Sequence, residues 1–275
     1  MILRIFNVEH GACALLDCDN GTQIMIDAGH NATTGWKPGT YLNSIGRTQL
    51  QQLIITNYDE DHVSGLPDLL SKVHVQWLMR NTSVDPSIIR YLKSEDGMGS
   101  GIDVLVKATE TTFKRGTANA LAIPPSGPDY GPGIELQIFN NTYPTFDDEN
   151  NLSVIVHLML NGTGVMFCGD MEKDGWEALI PAQPALRAAL ARTNIFIAPH
   201  HGRRSGYCDD IFTYCKPQLV VVSDKEHMHE TQKTSGYYAY RASGAIFRNS
   251  ERKFVSTRSD GDLVFHFPGR GWSGF

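Results

Sequence analysis

Carboxylates and imidazoles recur in this chain directly after short apolar runs. Asp27 follows Ile24-Met25-Ile26, and Asn57, Asp59, Asp61 and His62 follow Leu53-Ile54-Ile55-Thr56. Asp170 comes after Val165-Met166-Phe167-Cys168-Gly169, His200 and His201 after Ile195-Phe196-Ile197-Ala198-Pro199, and Ser223-Asp224 after Leu219-Val220-Val221-Val222. Short apolar runs bounded by polar residues read as buried strands. In layered α/β proteins the carboxyl ends of strands line the ligand crevice, so clusters remote in sequence are expected to converge. Gathered acids and imidazoles repel one another unless a cation neutralises them, and a divalent metal ion is the usual partner. Each member alone has a plainer role: Asp59 or Asp61 would serve as an N-cap or first-turn acid before Val63, and a lone His is usually structural. The ordered set is what points to a metal centre.

The elements that must hold this set are legible in outline. Strands are predicted over 2–8 and 12–18, the latter running into the turn Asp19-Asn20-Gly21 before a strand over 23–27. The pattern then alternates, with a strand over 53–56, a helix over 63–72, a strand over 73–78 and a helix over 86–93. Residues 117–133, rich in Pro and Gly, read as a linker between halves of about 1–130 and 131–275. The second half repeats the logic: strands over 134–139, 152–160 and 165–168, a helix over 176–191, strands over 195–198 and 219–222, and two closing strands within 255–267. Gly97-Met98-Gly99-Ser100-Gly101 has the wrong spacing for a phosphate-cradling loop and reads as a flexible turn. The alternation predicts an α/β layered fold.

Composition narrows the function classes. The 275 residues carry 24 Lys and Arg against 30 Asp and Glu, a formal charge of -6, so any nucleic-acid contact must be local. No apolar run approaches the roughly 20 residues that cross a bilayer, and the first residues read as a strand rather than a signal peptide; no membrane association and a cytoplasmic location are expected. Five cysteines without a C-x-x-C pair predict free thiols. His10, His30, His74, His157 and His266 read as structural or surface residues, although His157 shares strand parity with Ser153 and so could face the cleft. Tyr237, Tyr238, Tyr240 and Arg241 read as a helix burying aromatics rather than a base-stacking face, and Arg248, Arg252, Lys253 and Arg258 as a solvated face.

The run from Thr56 to Leu66 resembles the H-x-H-x-D-H signature of the metallo-β-lactamase fold. It is more similar still to the H-x-D-x-D-H variant in the metallohydrolase domain of ComEC-type competence proteins. Val8-Glu9-His10-Gly11 and Ile26-Asp27-Ala28-Gly29 resemble that family's opening strands, and Asn150-Asn151-Leu152-Ser153 its Asn/Ser motif. Cys168-Gly169-Asp170, Ala198-Pro199-His200-His201-Gly202 and Thr257-Arg258-Ser259-Asp260-Gly261 resemble its later motifs in order. The resemblance implies one domain over 1–275, a four-layer αββα sandwich with one or two divalent ions at an edge between the sheets. By resemblance, Asp61, His62, Asp170 and one of His200 or His201 are metal ligands, His200 slightly favoured, and Asp59 is a further candidate. Asn57 and Asp59 stand where the family has its first two His residues, and Asn151 or Ser153 where another member supplies a third. One metal site therefore looks weakened, the preference moves from Zn2+ toward Mn2+ or Mg2+, and Asn57, Asn151, Ser153 and Asp27 are left as weak or supporting contacts. The resemblance implies catalytic roles for Asp61 and His229, His229 as proton donor or phosphate contact, and Arg203, Arg204, Lys225 and Ser223 would bind substrate. Hydrolysis of a phosphodiester in nucleic acid or a nucleotide leads. Hydrolysis of a small ester, lactone or phosphorylated metabolite, and a catalytically weak regulatory subunit, are the alternatives. The absence of a membrane channel suggests a stand-alone protein working with a separately encoded protein partner.

Overall fold

Two β-sheets stack face to face, and helices cover both outer faces. The computed structural model describes residues 1–94, 97–113, 128–225, 233–269 and 271–275. The first half supplies β1 (Ile2–Ile5), β2 (Ala14–Asp17), β3 (Gln23–Ile26), β4 (Gln49–Ile54) and β5 (His74–Met79). The second supplies β6 (Ile134–Asn140), β7 (Val154–Leu160), β8 (Thr163–Phe167), β9 (Thr193–Ile197) and β10 (Leu219–Val222). The closing segment adds β11 (Ala245–Phe247), β12 (Ser250–Arg252), β13 (Phe254–Ser256), β14 (Leu263–His266) and β15 (Ser273–Gly274). One sheet has the order β12-β11-β15-β14-β1-β2-β3-β4-β5 and the other β13-β10-β9-β8-β7-β6. The two strands expected within 255–267 are thus β13 and β14, which lie in different sheets.

Strand alternation explains the layering. In β2, Ala14 and Leu16 face the other sheet while Leu15 faces the helices; in β7, Val156 and Leu158 face inward and Ile155 outward. Both faces of these strands are buried, which is why they read as continuous apolar runs. Helices α1 (Pro38–Ser44), α2 (Glu60–Val63), α3 (Leu66–Lys72), α4 (Pro86–Leu92) and α5 (Ser100–Glu110) belong to the first half, and residues from them cover the larger sheet through Leu42, Val63, Leu69, Ile89 and Leu105. Helices α6 (Lys173–Ala182), α7 (Pro184–Ala191), α8 (Ile211–Tyr214) and α9 (Ser235–Arg241) cover the smaller sheet through Trp176, Leu190, Ile211 and Tyr238. The four-layer αββα sandwich expected from the sequence is the observed fold.

Where sequence and structure differ, the cause is tertiary. The helix expected over 63–72 divides into α2 and α3 at Gly65, whose site would put a Cβ 2.6 Å from the Ala28 carbonyl oxygen. The helix expected over 176–191 breaks at Gln183 (φ −120°, ψ 94°), because the residue before Pro184 is pushed out of helical geometry. The turn expected over 97–101 is corrected: it opens α5, whose first amides at Gly101 and Ile102 donate to the Glu60 carboxylate at 2.9 and 3.1 Å. That cap comes from 41 positions away, and no local pattern signals it. Of the expected linker, 117–127 lies outside the described residues. All five cysteines are buried and free. Of the tyrosines on α9, Tyr238 is buried while Tyr237 and Tyr240 are exposed. Among the described residues no helix is long and apolar enough to cross a membrane.

His157 does not face the cleft. It lies on the outer face of its sheet with Ile155, paired in register with Met166, and neither ring nitrogen has a hydrogen-bond partner. Burial, reinforced by the Arg192 charge, brings its pKa from an ordinary 6.5 down to about 4. The unfolded chain therefore takes up a proton that the folded chain refuses, and stability falls as pH drops from about 6.5 to about 4. His157→Leu is expected to remove on the order of 3 kcal/mol from that fall, read as the pH dependence of urea unfolding. An unchanged pH slope in the variant would refute this.

Candidate metal centre

The site forms where β4 and β7 end side by side. The Val154 amide donates to the Thr56 carbonyl at 2.7 Å, so the sheets are joined at this edge and the loops after β3, β4, β8, β9 and β10 meet above it. Asp27, the first residue past β3, sits in the left-handed region (φ 57°) and turns its carboxylate back toward β4. It accepts the Thr56 amide at 2.7 Å and the Thr56 hydroxyl at 2.5 Å, and lies 3.0 Å from Nδ1 of His62. Gly29 is required beside it, since a Cβ there would stand 2.6 Å from the Asp61 carbonyl oxygen. The run from Asp59 into α2 then presents Asp61 and His62 together.

His62, Asp170 and His201 each offer a ligand atom within 4.8 Å of the others, and all three are buried. His62 Nε2 lies 3.0 Å from Asp170 Oδ1. Because Asp27 takes the Nδ1 proton of His62, Nε2 is free to ligate. His201 repeats the arrangement: Nδ1 lies 2.9 Å from the Ser223 carbonyl, and Nε2, without a hydrogen-bond partner, faces Asp61 Oδ2 at 3.2 Å and Asp170 Oδ1 at 3.6 Å. A buried ring nitrogen set against two carboxylates needs a cation between them, its own proton or a metal ion. Residues His62, Asp170 and His201 also line a cavity of about 40 Å³. The donor set therefore fits a divalent ion. Burial alone would raise Asp61 and Asp170, but the imidazoles of His62 and His201 outweigh it. Asp61 is brought down to about 2 and Asp170 is held well below the carboxylate range. Burial likewise lowers the two histidines, yet Asp170, with Asp27 for His62 and Asp61 for His201, raises both.

The adjacent histidines have separate roles, reached through a backbone in which both are left-handed (φ 50° and 51°). Such a pair costs on the order of 1–3 kcal/mol per residue and persists only where surrounding structure imposes it. It sends the two rings to different sites. His201 enters the cluster, whereas His200, favoured from sequence, has Nε2 on the Arg203 guanidinium at 2.8 Å and Nδ1 near Ser205 Oγ (3.1 Å) and Glu172 (3.0 Å). His200 Nε2 also lies 3.8 Å from Asp170 Oδ2, but the buried group of His62 and Asp170 includes His201 rather than the His200 favoured from sequence. Asp59 also lies apart from the cluster. Its carboxylate is held by Lys93, itself buried, which reaches Glu149 at 2.6 Å.

The supporting contacts hold ligands in place. Ser153 Oγ accepts the Asp170 amide at 3.0 Å and the Asn57 side-chain amide at 3.0 Å, while Asn57 Oδ1 accepts the Asp59 amide at 2.7 Å. Asn151 is engaged with Asp148 and the Gly175 amide. Ser223, expected on substrate, is buried and donates its hydroxyl to the Gly11 carbonyl at 2.6 Å. Arg203 also reaches His10 Nε2 at 3.0 Å; Arg204 is exposed with its guanidinium 4.9 Å from the Tyr237 ring; Lys225 pairs with Glu9 at 3.2 Å. His229 lies outside the described residues. Two residues went unrecognised in the sequence. His10, read as structural or surface, has its ring centroid 4.4 Å from that of His201, tilted by 47°, and belongs to a possible ligand group with Asp61 and His201; its place after an apolar run was the available signal. Lys93 carried no signal, being an ordinary lysine at the end of a helix.

A buried His/Asp cluster at the edge of an αββα sandwich defines a metallohydrolase fold. The sequence model of the metallo-beta-lactamase superfamily matches residues 7–208. The chain belongs to that superfamily and is a metal-dependent hydrolase by class. ComE operon protein 3 of Bacillus subtilis (strain 168) is 22% identical over 196 residues, covering 70% of this chain and 23% of the length of that protein. The crystal structure of Zn2+-bound PqqB from Methylobacterium extorquens, 13% identical, covers 97% of this chain and 100% of that chain with a TM-score of 0.56, which reflects a shared fold. A diphosphatase of the PhnP family, 11% identical, covers 96% and 98% with a TM-score of 0.49.

Asp27→Asn is expected to lower metal affinity about 10–100-fold by loosening His62. His201→Ala should lose the ion and His200→Ala should keep it. Competition with a chromophoric chelator reads all three, and metal loss confined to His200→Ala would contradict the assignment.

Proposed function

We propose that the chain hydrolyses a phosphodiester of nucleic acid or a nucleotide, with Mn2+ or Zn2+ held by Asp61, His62, Asp170 and His201. The observation that carries the substrate class is Arg203. Its guanidinium contacts two imidazole nitrogens at the cluster's rim, and no acid pairs with it among the described residues. Exposed Arg204 adds a second positive charge beside it. A neutral ester or lactone would gain little from this arrangement, whereas a phosphodiester oxygen takes charge-assisted hydrogen bonds from it. When bound, a divalent ion supplies Lewis acidity toward the phosphoryl oxygens. Asp61, partly exposed to the cleft and ionised at neutral pH, accepts a hydrogen bond from the attacking water and orients it. Mixed imidazole and carboxylate donors suit Mn2+ or Zn2+ better than Mg2+, which prefers all-oxygen surroundings.

Bis-p-nitrophenyl phosphate with added Mn2+ tests this reading. Hydrolysis should disappear with chelator and in Asp170→Ala. Arg203→Met should lose about 10–100-fold in kcat/KM on the diester, the worth of a hydrogen bond to a charged group, while p-nitrophenyl acetate hydrolysis stays unchanged. A folded, metal-loaded protein inert on the diester and active on the neutral ester would overturn the proposal.

A further inference from the structure

Resting on that metal-dependent reading, we propose that Lys93 is a built-in cation standing in for a second metal ion, so that the centre holds a single ion. Lys93 is the residue that ends α4, and its side chain is 3% exposed. Lysine is almost never buried unless paired, because desolvating an ammonium is costly. Its ammonium is paired twice, with Asp59 from the run before α2 and with Glu149 from the loop before β7. Burial would lower its pKa, but those two carboxylates raise it, so the ammonium stays charged.

The residues a second ion could use at the Asn57–Asp59 position are thereby committed, and the other possible ligand group, His10, Asp61 and His201, draws Asp61 and His201 from the set proposed for the first ion. The cluster leaves out two acids of the Asn57–His62 run: Glu60, whose carboxylate caps α5, and Asp59, which Lys93 holds. Asn57 has both ends of its amide engaged: the nitrogen on the Glu149 carbonyl, Asn150 Oδ1 and Ser153 Oγ, the oxygen on the Asp59 amide. A divalent ion at Asp59 would have to sit beside the Lys93 ammonium at close range, where like charges in a poorly solvated site repel strongly. The same contacts make Lys93 a positioning residue. Asp59 is tied through its amide to Asn57, Asn57 to Ser153, and Ser153 accepts the amide of Asp170.

Removing the ammonium while keeping the two acids converts this spot into a cation site. Mn2+ stoichiometry by equilibrium dialysis and mass spectrometry, with electron paramagnetic resonance on the same samples, tests the proposal. Wild type at saturating Mn2+ should hold one ion per chain with an uncoupled six-line signal. Lys93→Gln should bind two, the second more weakly, with a spin-coupled spectrum, and Lys93→Arg, which retains the charge, should bind one. Two ions in wild type would overturn the proposal and leave the hydrolase reading intact; one ion in Lys93→Gln would overturn the role of Lys93. No ion in wild type would overturn both readings. Should Lys93→Gln not fold, the wild-type count and spectrum still decide whether the centre is mononuclear.

Discussion

Everything at this edge of the sandwich answers one electrostatic constraint: several carboxylates must be kept ionised while withdrawn from water. Asp27 and Asp170 are almost fully buried, and Asp61, Asp59 and Glu149 lie close by. A buried carboxylate left without partners would take up a proton or unfold its site. The molecule meets the constraint with distributed partners. Backbone and hydroxyl donors serve Asp27, imidazoles serve Asp61 and Asp170, and an ammonium serves Asp59 and Glu149. The His201 ring nitrogen, set against two carboxylate oxygens without a hydrogen-bond partner, is where a bound metal ion would take the place of the ring proton.

Holding that arrangement requires unfavourable backbone. Asp27, His200 and His201 all take left-handed conformations without being glycine. Asp27 stands directly past β3, and His200 and His201 follow β9 after Ala198 and Pro199, so ladder hydrogen bonds fix the chain just before each turn and the turn can be imposed. The two apolar helix-covered faces and the inter-sheet core supply the stability that such turns consume. Rigid strands on one side and strained turns on the other are a common way for a scaffold to place side chains within tenths of an ångström.

The separation of His200 from His201 shows how closely function depends on this geometry. Identical side chains on adjacent residues differ in role because consecutive left-handed residues send their rings in different directions. One ring joins the cluster; the other meets Arg203, which also touches His10 from the far end of the sequence. The Arg203 guanidinium is thus anchored at the same edge by imidazoles outside the proposed ligand set, with no acid paired to it among the described residues.

The α/β layering, the central strands and the convergence of acids and imidazoles at strand ends were determined by the sequence alone, because apolar runs of strand length can be satisfied only by burial and the residues that follow them must then emerge at one edge; the count of four layers came from the family resemblance. Asp61, His62 and Asp170 were singled out through the family resemblance, whose motifs recur here in order. Only the tertiary structure decided which adjacent histidine enters the cluster, that His10 belongs beside it, and that Asp59 faces an ammonium. It also decided that Gly99 and Gly101 open a helix, through a cap from Glu60. The physical reason is the same in each case: these outcomes turn on contacts between residues tens to nearly two hundred positions apart and on left-handed turns, neither of which leaves a periodic mark in sequence. Lys93 is the clearest instance, since a surface lysine and a buried counter-charge are spelled identically until the fold brings Asp59 and Glu149 to it.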